Sequence, residues 1–556
     1  MATLVLAGTL EGHSPALVLY DGARIHGIEL ERLSRLKHNL TLERHQQQTR
    51  DLRARAMRGG RTAPDFALLD QAVRYVLENA GATWADVTHV AGVVDSDAVL
   101  RRLCPDRLGR PRSAGAIGHH EAHAASAYYP SGFDEAAVLV VDAFGDMAPE
   151  GARAVETVSI WRGHGSELQC LEMRYSPLSA LDGSSPTGHL SPGLFYADLT
   201  VQIGFMVREA GKVMGLSPFG HPSKRDALRP FVSFDHDSGD VRFSPGYLDA
   251  MRALVGSGSE AERADCAGAG QEVLERVLFH YARRAESLTG CRRLVMAGGC
   301  ALNSVANGKL LRSGLFDEIF VQPAAGDNGL ALGMALRTHP PEPGVFSMGA
   351  SCFGRIYSDE AVREAIAQTD FASTHFPEEE ALCTEVARRL AGGEILGWFQ
   401  GAAEFGPRAL GHRSVLCDPR ASTMKDILNA RVKFREAFRP FAPAVLESAA
   451  EDYFSLDRPS PYMLFVAPVK TPALLPATTH VDGSARVQTV CPERTPRFAA
   501  LLATVGAQTG VPVLLNTSMN VMGQPIIETP AQALEMLGAC ALDGLVLGDH
   551  LVTKTS

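Results

Sequence analysis

The segment HHEAHAASAYY at 119–129 places His119 and His123 four residues apart. On a helix their imidazoles share one face, one turn apart. Two imidazoles so placed can grip one divalent metal ion. The run VVDAFGD then offers Asp142 as a carboxylate ligand. Two histidines and one carboxylate with open positions suit Fe(II), and less exclusively zinc or manganese. Glu121 stands too close to His123 for the HExxH spacing of zinc proteases. The same helix also fits a second reading, in which its imidazoles are buried and satisfied within a core.

Three glycine turns could serve a nucleotide: AFGD (143–146), AGGCALN (297–303) and AAGDNGLALG (324–333). Each lies where a strand or loop meets a helix or hairpin, and free backbone N–H groups there can cradle phosphate. Singly each is a plain turn; together they suit two halves closing on one nucleotide. Asp327 is then placed to bind a metal or a phosphate-bridging ion. Lys212 in EAGKVMGLSPFG is a phosphate-side candidate, and equally a solvated surface charge.

Between Arg408 and Arg439, inclusive, eight Lys or Arg face three Asp or Glu, a local charge of +5 in a chain of net −10. Arginine forks bind phosphate and carboxylate bidentately, and lysine adds a point charge. A solvated basic helix would read alike, but GPRALG and FRPFAP are stiff and partly apolar, which suits arginines held in a pocket. Arg486 lies in a strand-like run. PVLLNTSMN places Asn516, Thr517, Ser518 and Asn520 just after a strand, where small polar groups bond ligand oxygens or simply form turns.

These residues need elements to position them. Residues 3–8, 16–20 and 24–30 read as strands, with Asp21-Gly22 as a hairpin turn between the last two. A similar strand–hairpin–strand unit recurs over 137–175. Two such units, each followed by helical stretches, resemble the duplicated halves of the actin/sugar-kinase ATPase fold. Helices are expected at 66–80, 119–129, 195–206, 268–289 and from about 303, with a strand at 293–297. The proline- and glycine-rich stretch 338–350 is the linker candidate, with a domain boundary near 345. Helices at 359–369 and 378–391 and a strand at 394–400 follow.

A chain of 556 residues exceeds one core. Its 46% apolar and 21% charged residues are ordinary for a soluble enzyme. Net acidity argues against a nucleic-acid-coating protein and leaves room for local basic sites. Ten cysteines without a CxxC pair disfavour a thiolate zinc site or a redox dithiol, and reduced thiols fit a cytoplasmic location. The start lacks the basic region of a signal peptide. No apolar run is long enough for a membrane span.

Taken together, HHEAHAASAYYPSGFDEAAVLVVDAFGD, GKVMGLSPFG, GGCALNSVANGKL, EFGPRALGHRSVLCDPR, VKFREAFRPFAPAV, VDGSARVQTV and LLNTSMNV resemble the NodU/CmcH-type O-carbamoyltransferases nearly end to end and in order. The resemblance implies an α/β chain with an N-terminal actin/sugar-kinase-like (TsaD-like) duplicated domain over 1–345 and a C-terminal YrdC-like α/β domain over 346–556. The second domain is expected to form carbamoyl-adenylate from carbamoyl phosphate and ATP, the latter with Mg2+. Arg408, Arg413, Lys433, Arg439, Arg486 and Ser518 are implied to line that anion site, with Arg408 and Lys433 catalytic. The adenylate is implied to pass internally to the first domain, shielded from hydrolysis. There His119, His123, Asp142 and Asp327 are implied to hold a divalent ion, with Asp142 also catalytic and iron the family's expectation.

The same resemblance makes His13 the base or orienting group near the acceptor hydroxyl. Lys212, Gly298, Gly299, Asn303, Asp327 and Asn516 fall to the nucleotide. The acceptor is expected to be a hydroxyl of a small natural product, with no nucleic-acid or membrane partner and a homodimeric assembly. Relatives often carry aspartate where this chain has Ser14 and arginine where it has Ala402, which puts His13's orientation and one phosphate contact in question. Competing readings are a carbamoyl- or threonylcarbamoyl-adenylate enzyme acting on a macromolecule, a sugar kinase, and a nucleotide-switched binding protein. Global acidity opposes the first, the basic cluster is unexplained by the second, and the intact His119, His123, Asp142, Arg408 and Lys433 oppose the third.

Overall fold

The computed structural model describes residues 3–9, 14–37, 65–92, 111–149, 153–181, 188–342 and 346–555. The chain forms two compact units, Met1–Leu30 with His38–Met348, and Glu31–Lys37 with Gly349–Ser556. The main division falls inside the proline- and glycine-rich stretch. The assignment of Glu31–Lys37 to the second unit has no counterpart among the sequence signals.

The first unit holds two five-stranded sheets. One contains β1 (Val5–Thr9), β2 (Ala16–Tyr20), β3 (Ile25–Glu29), β4 (His89–Gly92) and β5 (Arg112–Ala116), in the order β3-β2-β1-β4-β5. The other contains β6 (Glu135–Val141), β7 (Ala154–His164) and β8 (Glu167–Pro177), and, beyond the short hairpin β9 (Val232–Phe234) and β10 (Val241–Phe243), β11 (Arg293–Ala297) and β12 (Glu318–Val321). Its order is β12-β11-β6-β7-β8. In each sheet three consecutive strands pair antiparallel. The first of the three also pairs parallel to a later strand, which pairs parallel to a fifth. The topology is thus duplicated. β1, β2 and most of β6 are buried along their length, which explains their nearly continuous apolar runs.

Local chemistry sets the helix limits. Asp65 accepts the amides of Ala67 and Leu68, and left-handed Gly81 ends the helix Phe66–Ala80. A Ser259/Glu262 capping box starts the 30-residue helix Glu260–Thr289, and Gly290 stops it. The helix thus starts two turns before the 268 expected from sequence, because those turns are rich in charged residues and lack apolar periodicity.

The second unit is a nine-stranded mixed sheet of β13 (Ala372–His375), β14 (Leu396–Phe399), β15 (Arg413–Cys417), β16 (Ala442–Leu446), β17 (Phe465–Pro468), β18 (Ser484–Val490), β19 (Val513–Ser518), β20 (Gly544–Leu547) and β21 (His550–Thr553). Their order is β13-β21-β20-β14-β15-β19-β16-β18-β17. Strand alternation divides its core into two layers. Leu396, Trp398, Leu416, Leu514 and Val546 meet the helices Glu379–Ala391 and Pro496–Thr509 through Leu382, Val386, Leu390, Leu501 and Leu502. Val415, Cys417, Leu515 and Leu545 meet the helices Met424–Leu428 and Pro530–Ala539 through Met424, Leu428, Leu534 and Leu537. Each buried leucine contributes about 1.5–3 kcal/mol. Among the described residues no helix is long and apolar enough to cross a membrane.

Candidate active sites

In the first unit β6, β11 and β12 run parallel, so the loops that follow them leave the same edge of the sheet. Asp142 follows β6, Gly298 follows β11, and Asp327 lies in the turn after β12. Carboxyl ends of parallel strands are where open α/β sheets bind ligands. The helix His119–Tyr128 starts beside them, its His119 amide donating to Asp146 Oδ2 at 2.7 Å. A Cβ at Gly333 would strike the Ala122 carbonyl oxygen, so glycine lets the helix Leu330–Thr338 approach the histidine helix. That approach sets Asp327 opposite both imidazoles.

His123 Nε2 lies 3.1 Å and His119 Nε2 3.4 Å from Asp142 Oδ2. The same nitrogens lie 3.9 and 3.8 Å from Asp327 Oδ1. One ligand atom from each of the four residues lies within 4.8 Å of every other. Burial opposes charge on His119, yet the Asp142 hydrogen bond and the Asp327 charge raise its pKa to about 9. Burial likewise opposes charge on Asp142, but its bonds to His119 and His123 hold it well below the usual carboxylate range. Burial pushes Asp327 up, opposed by His119 and reinforced by Asp142. Two carboxylates packed against two imidazoles need positive charge between them, and two nitrogen and two oxygen donors suit a divalent transition ion. His120 turns away, its Nδ1 2.8 Å from Ser159 Oγ, which also accepts from Trp161 Nε1 at 2.8 Å.

Gly298 has φ +86°, and a Cβ there would strike the Val141 carbonyl oxygen. The Gly299 amide points at Asp142 Oδ1 across 3.4 Å. Asn303 is committed to the fold: its Oδ1 accepts from Ala306 N, capping the helix Ser304–Arg312, and its amide bonds Gln271 at 3.0 Å. Lys212 pairs with Glu209 at 2.6 Å and lies over the Phe205 ring. His13 lies outside the described residues. Arg208 carries no signal in the sequence, where it is one arginine among ordinary neighbours. Burial lowers its pKa to about 10, opposed by the charge of Asp327, and its Nη1 is buried with no hydrogen-bond partner among the described residues.

In the second unit a cluster of opposite sign forms. Burial, and then Arg439, lower the pKa of Arg408 to about 10. Burial, Arg439 and Arg408 lower that of Arg435 to about 9, with Glu436 opposing. Burial, followed by Arg408, Arg435 and Arg439, depresses Arg486. The four guanidinium groups therefore lie within one another's fields. Among the described residues Nε of Arg408 and of Arg486 are buried without partners. Desolvated like charges are costly unless anions join them; Glu436 Oε2, 3.6 Å from Arg439 Nη1, supplies one negative charge against the four.

Three features hold it. Glu404 Oε1 accepts the amides of Leu410, His412 and Arg413 at 2.7, 2.9 and 3.1 Å, shaping the loop that carries Arg408. Arg435 donates to Asn429 Oδ1 at 2.9 Å and stacks on Phe441. Buried Lys433 donates to Ser518 O at 2.5 Å, Asn520 O at 2.9 Å and Asn520 Oδ1 at 2.8 Å, tying the Ser518 turn to the arginine segment. Asn429–Lys433 is a π-helical turn, and Phe434 after it has φ +48°. Such turns and strained residues gather at functional sites.

Of the residues expected at the anion site, Arg408, Arg439 and Arg486 converge, and Lys433 and Ser518 brace them. Arg413 turns elsewhere: fully buried, it stacks on Phe399 with Cζ 3.5 Å from the ring centre and donates to the Gln400 and Gly401 carbonyls. Asn516 belongs to the second unit, where its amide nitrogen braces the Arg408 loop by donating to Ala409 O at 3.2 Å and to Gln488 Oε1 at 2.7 Å. Arg435 was within the basic run but not distinguishable there.

Residues 107–336 match the family model Carbamoyltransferase N-terminus, and 387–554 match Carbamoyltransferase C-terminus. Nodulation protein NolNO of Sinorhizobium fredii is 35% identical over 99% of this chain and 80% of its own. Nodulation protein NolO of Bradyrhizobium diazoefficiens is 38% identical over 79% of each chain. The 3'-hydroxymethylcephem-O-carbamoyltransferase of Amycolatopsis lactamdurans is 30% identical over 72% of this chain and 77% of its own. A structure of full-length HypF in the phosphate- and nucleotide-bound form aligns over 60% of this chain and 55% of that one at 14% identity and TM-score 0.40, a likeness too weak to carry inference.

Proposed function

Because the chain belongs to the carbamoyltransferase family and is a transferase, we propose that it is an ATP-dependent O-carbamoyltransferase acting on a hydroxyl of a small natural product, with its two clusters dividing the work. The observation that carries the reading is the half-buried arginine cluster of the second unit, in which Nε of Arg408 and of Arg486 are buried with no partner among the described residues, an arrangement that suits a polyanion. The actin/sugar-kinase-like reading of the first unit rests on its duplicated sheet topology. The YrdC-like reading of the second rests on the sequence resemblance.

In the proposed first half-reaction, water releases phosphate from carbamoyl phosphate. The carbamate oxygen then attacks the α-phosphorus of ATP, and pyrophosphate leaves with carbamoyl-adenylate remaining. Arg408, Arg435, Arg439 and Arg486 hold the phosphate oxygens and balance charge that develops in transfer. Lys433 keeps the Ser518 turn against them. In the second half-reaction the acceptor oxygen attacks the carbamoyl carbon, its proton leaves, and AMP departs. His119, His123, Asp142 and Asp327 would hold a divalent ion, Fe(II) by expectation, which when bound supplies Lewis-acid polarisation of carbonyl and hydroxyl oxygens. Arg208, beside Asp327, steadies the departing phosphate. His13 is the proposed proton acceptor, and Gly298 and Gly299 leave room for backbone approach to the nucleotide.

The test is mass spectrometry of the protein with carbamoyl phosphate, ATP and Mg2+ but no acceptor. Carbamoyl-adenylate, or AMP and pyrophosphate that require carbamoyl phosphate, is the expected product. ATP left intact, or cut to ADP regardless of carbamoyl phosphate, would refute the reading.

A further inference from the structure

A second cluster of metal-ligating side chains lies in the second unit and is not used by the proposed transfer chemistry. β13 is the edge strand of the nine-stranded sheet and pairs antiparallel with β21, with His375 directly opposite His550. Directly opposed residues project from the same face, and the two imidazole centres are 4.7 Å apart. Asp359, the first residue of the helix Asp359–Ala367, reaches the same point, its Oδ1 2.9 Å from His550 Nε2. One ligand atom from each of the three lies within 4.8 Å of the others.

We propose that Asp359, His375 and His550 form a binding site for a zinc-class divalent transition ion that pins the sheet edge. Two imidazole nitrogens and one carboxylate oxygen are donors that zinc takes, with water free to complete a tetrahedron. Calcium and magnesium prefer all-oxygen sites. The surroundings orient the ligands as outer-shell partners of metal sites do. Asp359 Oδ2 is held by Arg363 Nε at 2.9 Å, which leaves Oδ1 toward the imidazoles. His550 Nδ1 lies 3.4 Å from Ser373 Oγ, which aims Nε2 at the cluster. His550 is buried, whereas Asp359 and His375 are exposed, so the site is anchored at one side and open to water at the other. Its position on an edge strand, where it would tie two strands to a helix, favours a structural clamp. The ion would join β13, β21 and the helix Asp359–Ala367, and its binding energy would add to the stability of the edge.

The test uses the full chain with His119→Ala and His123→Ala, which disables the other cluster, and Zn2+ as the probe. After dialysis against Zn2+, elemental analysis should find one equivalent retained, and Zn2+ should raise Tm in a way that a chelator reverses. Adding His375→Ala, an exposed change that the fold tolerates, should abolish the Tm shift and weaken binding at least about tenfold. Asp359→Asn should weaken it less than His375→Ala. No retained zinc in the first variant, or retention unaffected by His375→Ala, would overturn the proposal. Carbamoyl transfer by His375→Ala alone, at the wild-type rate, separates this site from the proposed reaction.

Discussion

The two clusters are built from opposite electrostatics by opposite means. In the first unit, two carboxylates and two imidazoles are set by parallel strand ends and by one close helix approach, and their excess is negative. In the second, four half-buried guanidinium groups are gathered by Glu404, Lys433 and a strained turn, and their excess is positive. The contrast teaches what each suits: the charges of the first would accommodate a cation and those of the second an anion. The proposed carbamoyl transfer through an adenylate would use both, at different moments, which is a reason to keep them in separate units.

The contrast can be broken most severely at the arginines. Arg486→Ala should lower acceptor-free AMP formation about 100- to 1,000-fold, as loss of a charge-assisted contact to developing charge does. Metal uptake at the His119/His123 cluster should be unchanged by elemental analysis. His123→Ala should abolish that uptake and stop transfer to an acceptor, while carbamoyl phosphate-dependent AMP formation persists. Gly333→Val would force a side chain into the Ala122 carbonyl. It should cost about 1–3 kcal/mol of stability by thermal unfolding and impair transfer more than AMP formation. Arg208→Ala should slow transfer about tenfold, with Arg208→Lys recovering part of it and pyrophosphate release unaffected.

Much of this arrangement was legible in the sequence, where short-range physics decides. The i, i+4 histidine pair, the capped helix Phe66–Ala80, β2 and β11 follow from local pattern. The recurring hairpin unit is visible because buried strands repeat their apolar runs. What was illegible depends on distant contacts. Glu31–Lys37 joins the second unit through contacts such as Arg32 to the Gly406 carbonyl, 374 residues away. Arg413 and Arg435 have equal standing in a basic run, and only packing on Phe399 or beside Arg408 separates them. Arg208 matters because it is buried near Asp327, and spacing encodes neither fact. Likewise His375 and His550 meet only through strand register.

The division of labour is tested most directly by measuring pyrophosphate release from ATP and carbamoyl phosphate, without acceptor, for Asp142→Asn and Arg486→Ala side by side. The expected result is release by Asp142→Asn within about twofold of wild type and near-complete loss in Arg486→Ala. Loss in Asp142→Asn with release intact in Arg486→Ala would contradict the division and place adenylate formation at the histidine–aspartate cluster instead.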